Sequence, residues 1–379
     1  MKHQKHIRNM ITGVIVLTIM LTCAGCAHHT SDQAPNDDPD TTPAVSEAEQ
    51  TEDYVDQQLL STIRSLEEEG TIQGIYGDEL TTRFQDLFRK HPEFFWLDGG
   101  FSYVEESSSE GITVQYKIGY QVPLSEVSAM DARFQDSTES LLSKLDSSMT
   151  DYEKALYVHD FLVETVEYDF AYYQQLEQNS TATSPDLSGT AYGCLVNHKG
   201  ICDGYSKTFQ YLMHKIGVEC NYVSGESLVG FTGNHSWNYI VLDGEGYFVD
   251  VTWDDPLQSG QSLPIDRISH EYFCITSEEL LKSHSINPEE TVPVCSSYKY
   301  DYYRAHDQYM EEYDADEFAA RLRNADRVLE IKFGSDAAAD AAVNDCFTQN
   351  HFYKMDPSVQ SCRYQISNSG QILTIELTR

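Results

Sequence analysis

Gly200-Ile201-Cys202-Asp203-Gly204-Tyr205, Asn234-His235-Ser236-Trp237-Asn238 and Tyr247-Phe248-Val249-Asp250-Val251-Thr252-Trp253 are the three segments on which the reading of this chain turns. In that order they present a thiol, an imidazole and a carboxylate. His235 follows Cys202 by 33 positions, and Asp250 follows His235 by 15. A free cysteine is only a few per cent thiolate at neutral pH, so a useful thiol nucleophile needs a neighbouring base. The base in turn needs a group that fixes its tautomer and stabilises its cation.

Local pattern supports the grouping. Phe209, Leu212, Met213 and Ile216 recur at helical spacing after Cys202, and Gly217 is a C-terminal stop, so Cys202 falls in the first turn of a helix. Backbone N–H groups and the helix dipole there favour a thiolate and lower its pKa from the ordinary value of about 8.5. The same N–H groups suit a developing oxyanion. Trp237, Tyr239 and Val241 share one parity, Asp243-Gly244 is a two-residue turn signal, and Tyr247 to Val251 reads as the return strand of a hairpin. With that turn, Leu242 pairs with Glu245 and Trp237 with Asp250, which puts His235 diagonal to Asp250, roughly 7–8 Å away at the backbone. Taken singly, each residue has a plainer role: Cys202 as a buried or disulfide-bonded cysteine among nine, His235 as a structural histidine, Asp250 as a turn cap. Together, at hairpin spacing, they read as a catalytic triad.

Further segments carry a family resemblance: Val158-His159-Asp160, Tyr168-Asp169, Ala191-Tyr192-Gly193, Leu195-Val196-Asn197 and Val249 through Pro256, along with the cysteine and histidine segments. Residues 150–256 resemble a transglutaminase-like domain of the kind common in bacterial surface proteins. The resemblance implies that Cys202 is the nucleophile, His235 the base and Asp250 its orienter. Two departures are Cys194, where a small residue such as alanine is expected, and His198, where glycine is common. Asp254 and Asp255 also lie near Asp250. On a continuing strand, parity points Asp255 away from His235 but leaves Asp254 open, and the resemblance favours Asp250.

Lys2, Lys5 and Arg8 precede an uncharged apolar run from Ile11 to Leu21, too short to span a bilayer and suited to a secretory leader over residues 1–25. Leu21-Thr22-Cys23-Ala24-Gly25-Cys26 resembles a bacterial lipobox with Cys26 as the lipidated residue, although Cys23 stands where an aliphatic residue is usual. Residues 26–51, poor in large apolar residues, read as a solvated tether. The expected location is therefore the outer face of a bacterial cell membrane, lipid-anchored, with a protein or peptide substrate at the cell surface.

The net charge of −36 disfavours nucleic acid and anionic lipid or wall polymers as partners. With 379 residues, 25 Tyr and 16 Phe, the chain has enough apolar material for two or three domains. Cys194, Cys220, Cys274, Cys295, Cys346 and Cys362 could form disulfides in an exported chain, with Cys346–Cys362 favoured because they share one region. No zinc-type Cys/His spacing or EF-hand loop is present, and no cofactor is expected.

Residues 52–149 read as a helical and strand region: helices through Val55, Leu59, Leu60 and Ile63 and through Leu80, Phe84, Leu87 and Phe88, an aromatic plug Phe94-Phe95-Trp96, a strand over 112–120 and a helix over 124–148. Thr150-Asp151-Tyr152-Glu153 is a capping box opening a helix that should pack beside the one bearing Cys202. Residues 172–190 read as a loop near the nucleophile. A transglutaminase-like domain spans 150–295, and 300–379 form a small α+β module with helices at 315–325 and after Ser335, a strand at 328–333 and a terminal hairpin turning at 367–370.

The expected fold is α+β with a papain-like transglutaminase core, a helical N-terminal region and the C-terminal module. The expected activity is amide-directed acyl transfer, by transamidation or hydrolysis, through a thioester on Cys202. Two other classes remain: a non-catalytic surface scaffold or adhesin that keeps the fold, and a thiol–disulfide protein using Cys194 and Cys202, against which the lack of a CxxC motif argues.

Overall fold

The computed structural model describes residues 6–8, 47–109, 111–229, 232–255, 268–367 and 369–379. Cys26, the apolar run Ile11–Leu21 and residues 26–46 of the expected tether lie outside them. The chain divides into two compact units: residues up to 89 with 96–125, and residues 90–95 with 126–379.

In the first unit, β1 (His6–Arg8), β2 (Glu69–Gln73), β3 (Leu97–Ser108) and β4 (Gly111–Tyr120) form an antiparallel sheet in the order β1-β3-β4-β2. The helices α1 (Glu47–Arg64) and α2 (Gly77–Lys90) follow the expected apolar stripes, with Val55, Leu59, Ile63, Leu80, Phe84 and Leu87 buried. α1 begins at Glu47, inside the stretch expected as tether. β3 was not expected: its side chains are half-buried along most of its length, so no alternation marks it.

In the second unit, α3 (Leu124–Leu142) buries Val127, Met130, Phe134, Thr138 and Leu141 at helical spacing. α4 (Asp151–Thr165) opens with the expected capping box: Thr150 Oγ1 accepts from Glu153 N, and Glu153 accepts from Thr150 N at 2.7 Å. Such a cap contributes about 1 kcal/mol. The two-residue strand β5 (Glu167–Tyr168) pairs in parallel with β6 (Lys199–Gly200). Between them lie α5 (Phe170–Gln178) and α6 (Ala191–Val196). α5 corrects the reading of 172–190 as a loop: Asp169 caps it through Tyr172 N at 3.0 Å, and only 179–190 lack regular structure.

α7 (Cys202–Lys215) is the central helix, with ten buried residues and a stop at Gly217, whose φ of 81° suits glycine. α4 packs beside it as expected. Beneath runs a five-stranded sheet of β7 (Cys220–Ser227), β8 (Gly233–Leu242), β9 (Glu245–Val249), β10 (Phe273–Ile275) and β11 (His284–Ile286), ordered β10-β9-β8-β7-β11. The β8–β9 hairpin has the expected register, Leu242 opposite Glu245 and Asn238 opposite Val249. Asp243 and Gly244 both have positive φ, 52° and 79°, as a two-residue turn of this kind requires. β9 then stops at Val249, and α8 (Val251–Asp254) replaces the continuing strand. Strand parity therefore does not apply to Asp254 or Asp255.

After α9 (Ser277–Leu280) and α10 (Tyr302–Ala305), the C-terminal segment builds its own layer. β12 (Tyr309–Met310), β13 (Val328–Phe333), β14 (Ser361–Ile366) and β15 (Ile372–Thr378) form a sheet ordered β12-β13-β15-β14. α11 (Ala315–Asn324), α12 (Asp336–Val343) and α13 (Phe352–Met355) accompany it, around a core including Phe318, Leu322, Phe333, Phe352 and Ile375. Lys332 of β13 is buried, with Nζ 2.7 Å from Glu279 Oε1 and 2.6 Å from Asp301 Oδ2. The seven described cysteines are all free thiols, so the expected Cys346–Cys362 disulfide is not formed.

Candidate active site

Cys202 opens α7 behind Ile201, which offers no side-chain acceptor to the first-turn N–H groups. Close packing holds this turn. A Cβ on Gly204 would lie 2.3 Å from the Ser188 carbonyl oxygen, and one on Gly200 would lie 2.6 Å from Cys194 Sγ. Cys194 thus fills the space the two glycines leave. Burial pushes its thiol up to about 12, which keeps it protonated and unreactive. His198, the second departure from the family pattern, has φ of 53°, a conformation glycine takes without steric cost.

His235 stands on β8 opposite Gly225, with 8% of its surface exposed. Its Nε2 lies 2.6 Å from Asp250 Oδ2, and the same imidazole faces the cleft together with Cys202, which also acts on it. With Nε2 committed to the carboxylate, Nδ1 is the nitrogen left for sulfur. Burial alone would lower the pKa of His235. The Asp250 charge, its hydrogen bond and the contact with Cys202 outweigh that and hold it at about 10.

Asp250 is 1% exposed and sits at the N-cap of α8. Its Oδ1 accepts from Trp253 N at 3.1 Å, while Oδ2 receives both His235 Nε2 and, at 3.1 Å, His284 Nε2. Burial penalises this carboxylate, yet the two histidines hold it far below the usual range. Capping and orienting were alternatives in the sequence. Here one residue both caps α8 and hydrogen-bonds His235.

The neighbouring acids have other partners. Asp254 Oδ2 meets His159 Nε2 at 3.1 Å, and its Oδ1 accepts from Ser269 Oγ at 2.9 Å and Tyr272 N at 3.0 Å. Asp255 Oδ2 accepts from Tyr205 Oη at 2.7 Å. Asp203, next to the nucleophile candidate, accepts from Tyr222 Oη at 2.6 Å and Ser236 Oγ at 3.2 Å.

Cys202 and His235 face a narrow cleft whose other walls are Tyr168, Phe170, Tyr173, Asn234 and Trp253. Four of these five are aromatic, so the approach to the thiol favours flat or apolar groups. Phe170 and Tyr173 lay in or beside the segment read as a loop. Their recurrence on one face of α5 is the signal that a helical reading would have used.

Two clusters hold side chains of the types that ligate metals: His235–Asp250–His284 and His159–Asp160–His270. The nitrogen–oxygen distances in both are those of charge-assisted hydrogen bonds, 2.6 to 3.1 Å, and imidazole protons account for them. In the second cluster both nitrogens of His159 face carboxylates, Asp160 at 2.9 Å and Asp254. This offsets burial and raises its pKa to about 9.

Residues 139–251 match the model of the transglutaminase-like superfamily. Among curated proteins, the chain is 26% identical over 145 residues to the kyphoscoliosis peptidase of Homo sapiens, a match covering 36% of this chain and 21% of that protein. The kyphoscoliosis peptidase of Mus musculus is 25% identical over 166 residues, covering 41% and 24%. The chain thus spans less than a quarter of the length of these relatives. A solved structure described as a TGase is similar over 52% of each chain, with 12% identity and a TM-score of 0.30. The chain carries a transglutaminase-like domain, and its fold is the expected α+β, papain-like arrangement, with the helix that opens at Cys202 lying on an antiparallel sheet.

Proposed function

We propose that the protein is a cysteine acyl-transfer enzyme acting on amide bonds, with Cys202 as nucleophile, His235 as general base and acid, and Asp250 as orienter. The observation that carries this reading is the imidazole of His235, which spans a fully buried carboxylate 2.6 Å from Nε2 and the thiol of Cys202. Asp250 stabilises the imidazolium that forms when His235 takes the thiol proton.

The thiolate attacks the amide carbonyl carbon, and the carbonyl π-electrons move to oxygen. The backbone N–H of Cys202, at the start of α7, is a donor for that oxyanion. The C–N bond then breaks, and the leaving nitrogen takes the proton held by His235. A thioester on Cys202 remains. Water or an amine next gives its proton to His235 and its electron pair to the thioester carbonyl, releasing acid or new amide and regenerating the thiolate.

The aromatic cleft and the acidic chain favour neutral or cationic protein and peptide segments as substrates. We also propose export and anchoring through a lipid on Cys26, supported by the charged n-region, the short apolar run and Ala24-Gly25-Cys26. Among the described residues no helix is long and apolar enough to cross a membrane.

The test is covalent trapping. An amide-directed electrophile and an amine donor are offered to the full chain, and the modified residue is identified by mass spectrometry. Labelling should fall on Cys202. A Cys202 that reacts no faster than the other thiols would leave the protein a scaffold that keeps the fold.

A further inference from the structure

His284 lies 34 positions beyond Asp250, outside the residues that match the superfamily model. It enters the site through strand addition. β11 pairs antiparallel with β7 on the side away from β8, with His284 opposite Ser227 and Ile286 opposite Gly225. Gly225 is also the partner of His235, so His235 and His284 project from one face of the sheet with β7 between them. Gly225 leaves room for this: a Cβ there would lie 2.6 Å from Trp237 Cη2 and 2.0 Å from the Ser285 carbonyl oxygen. The His284 ring is held edge-on to Trp237 at 4.9 Å and tilted against Trp253 at 4.5 Å between centroids.

Ser283 Oγ accepts from Tyr272 Oη at 3.2 Å, lies 2.8 Å from His284 Nδ1 and reaches the Leu280 carbonyl oxygen at 3.4 Å. On the other side of the ring Nε2 lies 3.1 Å from Asp250 Oδ2, and because a carboxylate can only accept, Nε2 is the donor there. A fully buried carboxylate with one donor fewer is poorly solvated, and such groups take up a proton at higher pH.

We propose that His284 is a positioning residue for the Cys202–His235–Asp250 centre, donating from Nε2 to keep the Asp250 carboxylate ionised and aimed at His235. The inference rests on the acyl-transfer reading above. His284 does not line the cleft. It acts through Asp250, and the contact of Nδ1 with Ser283 Oγ holds the ring in place. The titratable groups facing this centre include Cys202 from α7, His235 from β8, Tyr272, Glu271 and Asp254 on the Asp250 side, and Tyr173 of α5 and Tyr222 of β7 on the Cys202 side.

The experiment needs no identified substrate. The rate of alkylation of Cys202 by iodoacetamide is measured across pH in the full chain, with the site confirmed by mass spectrometry, for wild type, His284→Gln and His284→Asn. The Gln amide nitrogen reaches about as far as Nε2 of histidine, whereas that of Asn does not, and the two are otherwise alike in polarity. His284→Gln should keep the acid limb of the wild-type profile. His284→Asn should move it up by about one pH unit, read as alkylation about tenfold slower at pH values below the limb. Thermal melting sets equal folded fractions, and because both variants bury an amide, a purely structural role would affect both alike. Any other pattern overturns the proposal, including two variants that match wild type or two that lose reactivity equally. If wild-type Cys202 reacts no faster than the other thiols, the acyl-transfer reading itself fails. A fast wild-type Cys202 indifferent to position 284 removes His284 alone.

Discussion

Asp250 and Asp254 stand at the two ends of one four-residue helix and hold different histidines. Asp250 Oδ2 lies 2.6 Å from His235 Nε2, and Asp254 Oδ2 lies 3.1 Å from His159 Nε2. One turn of chain thus serves both the candidate centre and the scaffold behind it, and substitutions at these two positions should separate chemistry from stability.

Asp250→Asn should sharply reduce turnover at equal folded fraction, since an amide cannot stabilise the imidazolium and promotes the wrong tautomer. Asp254→Asn should instead cost stability, about 3–5 kcal/mol, because it leaves the buried His159 without one of its two carboxylates. Asp255→Asn should lower turnover far less than Asp250→Asn, because Asp250 is the carboxylate 2.6 Å from His235 Nε2 while Asp255 accepts from the Tyr205 hydroxyl. Urea unfolding and turnover of the three single variants check this. A loss of turnover per folded molecule in Asp254→Asn as deep as in Asp250→Asn would move the orienter.

Cys202→Ala should abolish amide-directed activity while melting like the wild type, a loss on the order of 10⁴–10⁶ in turnover for a nucleophile of this kind. Steady-state assays on the purified variant measure it. Substantial residual turnover in a normally melting variant would assign the nucleophile elsewhere.

Stability should depend on pH with a definite sign. Folded His159 binds its proton up to about pH 9 and His235 up to about pH 10, against about 6.5 for a free imidazole. Their contribution is complete below about pH 6.5, fades as pH rises through those folded values, and is gone above them. Asp160 and Asp250, held below the usual carboxylate range by their histidines, add stability that is present above about pH 4 and lost on acidification. The urea midpoint should therefore fall between about pH 6.5 and 10. His159→Gln should flatten part of that fall. A midpoint constant across this range would mean that neither imidazole is held protonated.

Radiolabelled fatty acid should enter the wild-type chain in bacteria that process lipobox leaders, and should not enter Cys26→Ser. Equal incorporation by both forms rules out lipidation at Cys26.

Local signals carried much of the fold. The Thr150–Glu153 capping box, the Asp243-Gly244 turn and the stop at Gly217 are decided by residues within a few positions of one another, and each is found where the sequence places it. The geometry linking His235 to Asp250 followed from one turn of known length. What stayed hidden depends on distant pairing. His284 reaches the centre because β11 adds to β7 across more than fifty residues of chain, and nothing in its own neighbourhood announces that. The end of β9 at Val249 was also hidden, because Val251-Thr252-Trp253 has strand-like composition. The Asp250 cap and the packing of Asp254 and Asp255 on His159 and Tyr205 override that propensity.

Lys332 carries one further consequence, for how far the domain is portable. Its ammonium lies between Glu279, which closes the capping box of α9, and Asp301 at the N-cap of α10. Glu279 stands five positions before His284. A graft that moved residues 139–299 to another protein would strand Glu279 as an unpaired, largely buried acid on the helix leading into β11. Homologous recombination within such a gene should therefore disfavour a crossover between α9 and β13, where the two sides share a buried ion pair.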